Sequence, residues 1–164
     1  MGVDVINDVS GLVDENIINL IAKKGITTVL MHNDKIDPVP GAVFNKNTHL
    51  NNEIIKWAAE KIAYLTSRGV KKSQLIFDVG IGFGKDANQC IRILKAIDAY
   101  KTLGLPLYVG HSKKSFLDAV NCSNFPNGKS YNRSQKTLII SQYLAKKNID
   151  FLRVHDVKDN LLVC

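Results

Sequence analysis

The stretch LIFDVGIGFGKDANQC, residues 75–90, has the order of features from which proteins build ligand sites. An apolar run ends at Asp78, three alternating glycines and Lys85 follow it, and a helical pattern then begins. A carboxylate can accept hydrogen bonds from two adjacent N–H groups. Asp78 is therefore a suitable partner for an amino-substituted heterocycle.

The glycine turn does not match the common phosphate-binding motifs. A Walker A motif requires a glycine five positions before Gly84, where this chain has Val79, and Ser or Thr after the lysine, where it has Asp86. A dinucleotide-binding turn would require a third glycine at the position of Lys85. The glycines instead indicate a backbone that lies close to another group beside Phe83.

Two later segments, GHSKKSF and LRVHD, carry cationic side chains. Ser115 could begin a short helix whose free N–H groups attract an anion, and Lys114 would add a point charge beside it. If residues 153 and 155 lie on a strand, their side chains point the same way. Arg153 could then bind a phosphate through two hydrogen bonds while His155 donates another. The sequence predicts a ligand with an anionic end opposite the end that Asp78 binds.

Five short apolar runs alternate with helical patterns. The runs are VDVIN (3–7), TTVLMH (27–32), QLIFDVG (74–80), PLYVG (106–110) and DFLRVHDV (150–157). They do not alternate cleanly between apolar and polar residues, which predicts parallel strands buried on both faces. Helices are expected at 14–24, 51–67, 87–102 and 132–147, and long loops at 33–49 and 121–132. The fold class is therefore α/β, in one domain over residues 1–164.

The helices carry apolar residues at helical spacing, which predicts faces that pack on the sheet. Asp14 is the expected N-cap of the first helix and Gly25 its C-terminal stop. The residues expected to face the core are Ile17, Leu20, Ile21, Ile54, Ile55, Ala58, Ile62, Leu65, Cys90, Ile91, Leu94, Ile97, Thr137, Ile140, Ser141 and Leu144.

Every predicted strand ends in polar or glycine residues, and parallel α/β folds bind ligands at the carboxyl ends of their strands. Each residue also has a structural alternative: Asn7 or Asp8 as a turn residue, His32 as a hydrogen-bonded core histidine, and Asp78 as a cap. The candidates are Asn7, Asp8, Met31, His32, Asp78, Gly80, Gly82, Phe83, Gly84, Lys85, Gly110, Ser112, Lys113, Lys114, Ser115, Arg153, His155 and Asp156.

Composition narrows the possible functions. No apolar run approaches the roughly 20 residues that span a bilayer, and three cysteines without metal-like spacing indicate reduced thiols in a cytoplasmic protein. The net charge of +7 fits nucleic acid, a membrane surface, a phosphorylated small molecule or a solubilising surface. Scattered lysine pairs without interleaved aromatic residues make nucleic acid the weakest of these.

In this order, INDVSGL, LMH, DVGIGFGK, YVGHSKKS and RVHDV resemble the motifs of dihydropteroate synthase, and together they span nearly the whole chain. The resemblance implies a (β/α)₈ barrel of folate biosynthesis and a sulfonamide target. The family condenses 6-hydroxymethyl-7,8-dihydropterin diphosphate with p-aminobenzoate to give 7,8-dihydropteroate and pyrophosphate, with Mg²⁺. Family members are commonly dimers through the later helices.

Carried over by position, the resemblance assigns a role to each motif. Asn7 and Asp78 hold the edge of the pterin ring, and Met31 and Gly110 line its pocket. Lys114 lies along the pterin and bonds its ring oxygen. The remaining roles are p-aminobenzoate binding by Phe83 and Ser115, diphosphate binding by Arg153 and His155, and catalysis by Lys114, Arg153 and His155.

The chain departs from the family pattern in several places. The family usually has proline at Val79 and arginine at Lys113, and residues 33–49 do not follow its usual continuation. Only the last five strand–helix units have a counterpart here, so the Mg²⁺-coordinating loop is expected to be missing and no metal ligand is assigned. We therefore expect an incomplete barrel that is a poor catalyst alone, with a homodimer or a complementing N-terminal fragment as its protein partner.

Three alternatives remain at this stage. A methyltetrahydrofolate methyltransferase-type barrel would also hold a pterin through asparagine and aspartate, but it has no need of the cationic SKKS and RVHD segments. A non-catalytic fragment could bind pterin only, or pair with another subunit. A basic RNA-binding domain is the third alternative.

Overall fold

Five parallel strands form one sheet in the order β1-β2-β3-β4-β5, curled into a half-barrel. The computed structural model describes residues 2–33, 49–120 and 131–164. The strands are β1 Val5–Asp8, β2 Thr27–Met31, β3 Leu75–Asp78, β4 Leu107–Val109 and β5 Phe151–Leu152, and the α-helices are α1 Glu15–Lys24, α2 Leu50–Ser67, α3 Ala87–Lys95, α4 Arg133–Lys146 and α5 Val157–Leu161. Short 3₁₀ helices cover Lys72–Gln74, Ile97–Leu103 and Ser115–Ala119.

The strand register separates the two faces of the sheet. Leu30 pairs with Phe77 and Phe77 with Leu107, and these side chains belong to the core under the helices. Because side chains alternate along a strand, Met31 and its register partner Asp78 lie on the opposite face. The predicted α/β fold with a partial barrel is confirmed.

Burial of both strand faces is confirmed only for the central strands. All four residues of β3 are buried, but β1 exposes Val5 at 45% and β5 exposes Phe151 at 44%. Among the described residues, β1 and β5 each pair with a single neighbouring strand, so one edge of each is uncovered. The expected strand 150–157 is also too long, since β5 ends at Leu152, although the N–H of Arg153 still donates to the carbonyl of Val109 at 3.0 Å.

The helices match their predictions with two corrections. Asp14 caps α1 by accepting the N–H of Asn16 at 2.7 Å, and Gly25 ends it in the left-handed conformation. Leu20, expected in the core, is 46% exposed because α1 instead buries the face that carries Ile18.

The second correction concerns the predicted helix 87–102. It ends at Lys95 and continues as the 3₁₀ helix Ile97–Leu103. With three residues per turn, Ile97, Tyr100 and Leu103 share one face, and all three are buried. The tighter turn thus lets this segment extend the core.

Two further predictions concern loops and membranes. The long loops predicted at 33–49 and 121–132 lie outside the described residues except at their ends. Within the parts of the chain that are described, no helix has both the length and the apolar character needed to cross a bilayer.

Candidate functional site

Asp78 is the last residue of β3 and is only 5% exposed. Its Oδ1 accepts the N–H of Gly80 at 2.8 Å. Burial raises the pKa of Asp78, while that hydrogen bond and the positive charges of Lys114, Lys85 and Arg153 act in the opposite direction. Asp78 therefore shares its electrostatic environment with Lys114 and Arg153, two of the predicted anion-binding residues.

The glycine turn after Asp78 passes close to two other segments. A Cβ atom on Gly80, whose φ is 68°, would lie 2.0 Å from the carbonyl oxygen of His32. A Cβ atom on Gly82 would lie 3.3 Å from Cδ of Lys114. These contacts identify the neighbours that the glycines accommodate, namely the end of β2 and the Lys114 side chain.

Lys85 was a candidate ligand-binding residue, but the structure gives it an internal role. Its ammonium group donates to the carbonyl oxygens of Gly80 and Phe83 at 3.0 Å each and to that of His32 at 3.4 Å. The residue is 9% exposed. Lys85 thus holds the glycine turn against the end of β2.

His32 follows β2 and fits its structural alternative, a core histidine. Its backbone N–H donates to the carbonyl of Asp78 at 2.8 Å, and its ring packs edge-on against Trp57 at a centroid distance of 4.8 Å. Burial, and then the charge of Lys85, lowers the pKa of His32 to about 2. The imidazole is therefore neutral at physiological pH.

Lys114 lies between the glycine turn and the loop after β4. Its Nζ donates to the carbonyl of Ile81 and lies 4.7 Å from the centroid of the Phe83 ring. Burial lowers the pKa of Lys114 and the charge of Asp78 raises it. Ser115 begins the expected short helix, a 3₁₀ helix of five residues, and is itself exposed.

One pocket, called the cationic pocket below, brings Lys114, Arg153 and His155 together. Its volume is about 530 Å³. It is lined by Gly110, Ser112, Lys113, Lys114, Arg153, Val154 and His155. The convergence of Lys114, Arg153 and His155 matches the sequence expectation, although strand alternation is not the reason, because residues 153–155 lie beyond β5.

Three of the predicted pterin-binding residues, Asn7, Met31 and Asp78, lie outside this lining. Met31 is 1% exposed and sits beside Asp78 in the register of β2 and β3. Asn7 is exposed on β1 and pairs with Val29, so it lies on the same face of the sheet two residues before the level of Met31. The structure therefore places Asn7, Met31 and Asp78 on one face without bringing Asn7 into the cationic pocket.

Several contacts around the pocket had no distinctive sequence signal. Lys113, one of the candidate residues after β4, forms a salt bridge with Asp156 at 2.8 Å. Burial raises the pKa of Tyr108, and the positive charge of Arg153 acts in the opposite direction. The pattern GHSKK offered no indication that Ser112 would contact His155, since the two residues are 43 positions apart.

His111 anchors the loop behind the pocket. Its Nε2 lies 2.9 Å from Oγ of Ser141 in α4, and that hydroxyl donates to Oδ1 of Asn160 in α5 at 2.5 Å. Asn160 in turn donates to the carbonyl of Asp156 at 2.8 Å. Burial lowers the pKa of His111 to about 4, although its contact with the Thr137 carbonyl opposes this shift. The end of β4 is thereby tied to both later helices.

Within residues 2–33, 49–120 and 131–164, no group of three or more His, Cys, Asp or Glu side chains is arranged to hold a metal ion. Mg²⁺ is commonly held by one or two protein oxygens together with substrate phosphates, and no residue here is assigned as its ligand.

Comparison with known proteins identifies the family. The sequence profile described as pterin binding enzyme matches residues 1–155. This chain belongs to the pterin binding enzyme family. Among curated members, the dihydropteroate synthase of Streptococcus pyogenes is 31% identical over 97% of this chain and 56% of its own length.

Solved structures of this pterin binding enzyme family are similar throughout the chain. Dihydropteroate synthase from Anaplasma phagocytophilum, solved with bound 6-hydroxymethylpterin-monophosphate, is 35% identical with a TM-score of 0.86, covering 99% of this chain and 62% of that one. The Thermus thermophilus enzyme in complex with 4-aminobenzoate is 27% identical with a TM-score of 0.83, covering 98% and 60%. The chain thus spans less than two thirds of these relatives.

Proposed function

We propose that this chain carries the pterin and diphosphate subsites of a dihydropteroate synthase. The reaction would join 6-hydroxymethyl-7,8-dihydropterin diphosphate to p-aminobenzoate and release pyrophosphate. The observation that supports it best is that Lys114, Arg153 and His155 line one pocket, while the charges of Lys114 and Arg153 also act on the buried carboxyl group of Asp78. Such a site suits a molecule with N–H donors at one end and phosphates at the other.

The pterin would bind against the face of the sheet that carries Asp78. Asp78 would accept hydrogen bonds from the ring edge, with Asn7 as a second partner and Met31 and Gly110 as lining. Lys114 would lie along the ring and bond its oxygen. Lys114 is partly buried, and its ammonium group donates a hydrogen bond to the Ile81 carbonyl. A ligand atom would replace that carbonyl as the acceptor.

The diphosphate would occupy the cationic pocket, where Arg153 and His155 donate hydrogen bonds to its oxygens. In the reaction, the bond between the exocyclic carbon and the diphosphate oxygen breaks, and its electron pair leaves with pyrophosphate. Lys114, Arg153 and His155 would stabilise that charge as it develops, which is the main catalytic requirement. Electron release from the pterin ring would stabilise the positive charge that develops on the exocyclic carbon.

The p-aminobenzoate would approach from the side of Phe83 and Ser115. Its amine forms the new carbon–nitrogen bond and loses a proton to solvent or to the leaving pyrophosphate. Holding the amine near the carbon accelerates this step without a strong general base. Mg²⁺ and a protein partner, either a second copy or an N-terminal fragment, belong to this proposal as requirements that the described residues do not supply.

Binding measurements on purified variants test this assignment. Arg153→Ala should weaken binding of the pterin diphosphate about 10- to 100-fold, because it removes charge-assisted hydrogen bonds. The same variant should leave binding of 6-hydroxymethylpterin, which has no phosphate, unchanged in isothermal titration calorimetry. Arg68→Ala is the control, because Arg68 pairs with Glu15 on the surface at 2.8 Å.

Two outcomes would contradict the proposal. Unchanged binding of the pterin diphosphate by Arg153→Ala would remove the diphosphate assignment. Binding of methyltetrahydrofolate by the wild-type chain, independent of Arg153, would instead support the methyltransferase-type alternative.

A further inference from the structure

The Ser112 hydroxyl holds His155 at two points. Oγ accepts the backbone N–H of His155 at 3.2 Å and lies 2.9 Å from its ring Nδ1. Ser112 is 5% exposed, whereas the His155 ring is exposed and lines the cationic pocket. A buried side chain on the loop after β4 therefore fixes a ring that comes from the segment after β5.

The hydrogen-bond capacity of a hydroxyl determines how these contacts are made. A serine hydroxyl has one hydrogen to donate and two lone pairs to accept with. One lone pair of Ser112 takes the backbone N–H of His155. Among the described residues, Nδ1 of His155 is the partner left for the hydroxyl hydrogen.

We propose that Ser112 is a positioning residue that keeps the hydrogen of neutral His155 on Nε2. When the ring is neutral, Ser112 donates to Nδ1, so the single ring hydrogen is on Nε2. When the ring is cationic, Nδ1–H donates to the second lone pair of Oγ and Nε2 keeps its hydrogen. His155 thus presents an N–H donor to the pocket in both protonation states.

This inference rests on the proposed function in one respect, the identity of the anion in the pocket. The charged groups around His155 are Lys113 and Lys114 from the loop after β4, and Arg153 and Asp156 from its own segment. Asp156 already pairs with Lys113. An anion would therefore meet Lys114 and Arg153 as charges and His155 as a donor whose direction Ser112 sets.

The tautomer can be measured directly in the wild-type chain. Nitrogen-15 NMR of histidine-labelled protein at pH 8.5 distinguishes protonated from unprotonated ring nitrogens, and His155→Gln assigns the resonances. We expect a protonated Nε2 and an unprotonated Nδ1 for His155. A hydrogen on Nδ1 would overturn the proposal, and this test requires no variant of Ser112 to fold.

Pyrophosphate binding provides the second test, with Ser112→Ala compared with wild type from pH 5.5 to 8.5. At each pH, the ratio of the wild-type affinity to the Ser112→Ala affinity removes the effect of the ionisation of pyrophosphate, because both proteins bind the same ligand species. We expect Ser112→Ala to bind about fivefold more weakly at pH 8.5, the equivalent of about one hydrogen bond, and nearly equally at pH 5.5. Ser112→Thr keeps a hydroxyl and should restore binding, while Ser67→Ala, at the exposed end of α2, is the control.

The outcomes separate this inference from the proposed function. A loss of the same size at every pH would mean that Ser112 has only a structural role, and would overturn the inference. If wild type has the expected tautomer and loses it in Ser112→Ala, but no variant binds pyrophosphate, the tautomer assignment stands and the diphosphate site fails.

Discussion

At the residue scale, the turn after β3 is organised by atoms that approach each other closely. Gly80 faces the carbonyl of His32, and Lys85 joins that carbonyl to two others. The sequence predicted that the glycines approach another group, but it did not identify that group as the end of β2. It also placed Lys85 among the ligand candidates, because a lysine that binds carbonyl oxygens has the same sequence signature as one that binds phosphate.

Two glycines with the same φ allow two costs of an added Cβ atom to be compared. One is the cost of the left-handed backbone conformation, and the other is the cost of contact with neighbouring atoms. Gly25 and Gly80 both have φ of 68°, but no atom of the described residues lies within 4 Å of a Cβ atom on Gly25. Gly25→Ala should cost about 1 kcal/mol for the left-handed conformation, and Gly80→Ala about 3 kcal/mol or more because the backbone must also move. Urea unfolding measures both free energies, and equal losses would contradict the close approach.

At the element scale, the sequence predicted which helices exist and which faces they bury, as Thr137, Ile140, Ser141 and Leu144 of α4 show. It could not predict that Ser141 would connect His111 to α5, because that contact joins residues 30 positions apart. The same limit applies to Ser112. Local periodicity identifies elements, whereas contacts between distant elements depend on packing that no short motif encodes.

The buried His111 predicts a pH dependence of stability. Its pKa is about 4 in the folded state and 6.5 as the ordinary value, so the unfolded chain binds more protons between these limits. The contribution of His111 to the free energy of unfolding is therefore fully present above pH 6.5. It falls by about 1.4 kcal/mol per pH unit as the pH decreases towards 4. His32 adds a loss of the same sign over a window that extends to lower pH, because its folded-state pKa is about 2.

His111→Gln isolates this contribution. The variant should lower the slope of the free energy of unfolding against pH by about 1.4 kcal/mol per unit between pH 6 and 4.5. Comparison with wild type cancels the opposite contribution of Asp78, whose raised pKa favours the folded state as the pH falls. Urea titrations at several pH values measure the slope, and an unchanged slope would mean that His111 is not neutral in the folded chain.

At the scale of the whole molecule, the alternation of strands and helices was sufficient to predict the parallel sheet, and the candidate site residues are placed near the carboxyl ends of its strands. An incomplete barrel was expected to leave two strand edges open, but the apolar runs predicted burial of both faces for every strand, because the same apolar pattern occurs in central and edge strands. Val5 and Phe151 show the difference, since both are nearly half exposed in the five-stranded sheet. Uncovered strand edges with apolar side chains favour pairing with another chain.

These 164 residues expressed alone should therefore associate as their concentration rises. Phe151→Lys should reduce that association in sedimentation velocity, because it places a charge on an open edge. Leu20→Lys is a matched control, since Leu20 on α1 is 46% exposed and Phe151 44%. Association that survives Phe151→Lys would instead favour the later helices as the interface.

The salt bridge between Lys113 and Asp156 has a consequence for sequence divergence. The resemblance to dihydropteroate synthase leads to an expectation of arginine at position 113, and the lysine found there reaches Asp156 at 2.8 Å. An arginine at this position could form the same ion pair with Asp156. Exchange of lysine for arginine at 113 should therefore be tolerated while Asp156 is present, whereas loss of Asp156 would leave a lysine or an arginine at 113 without this partner.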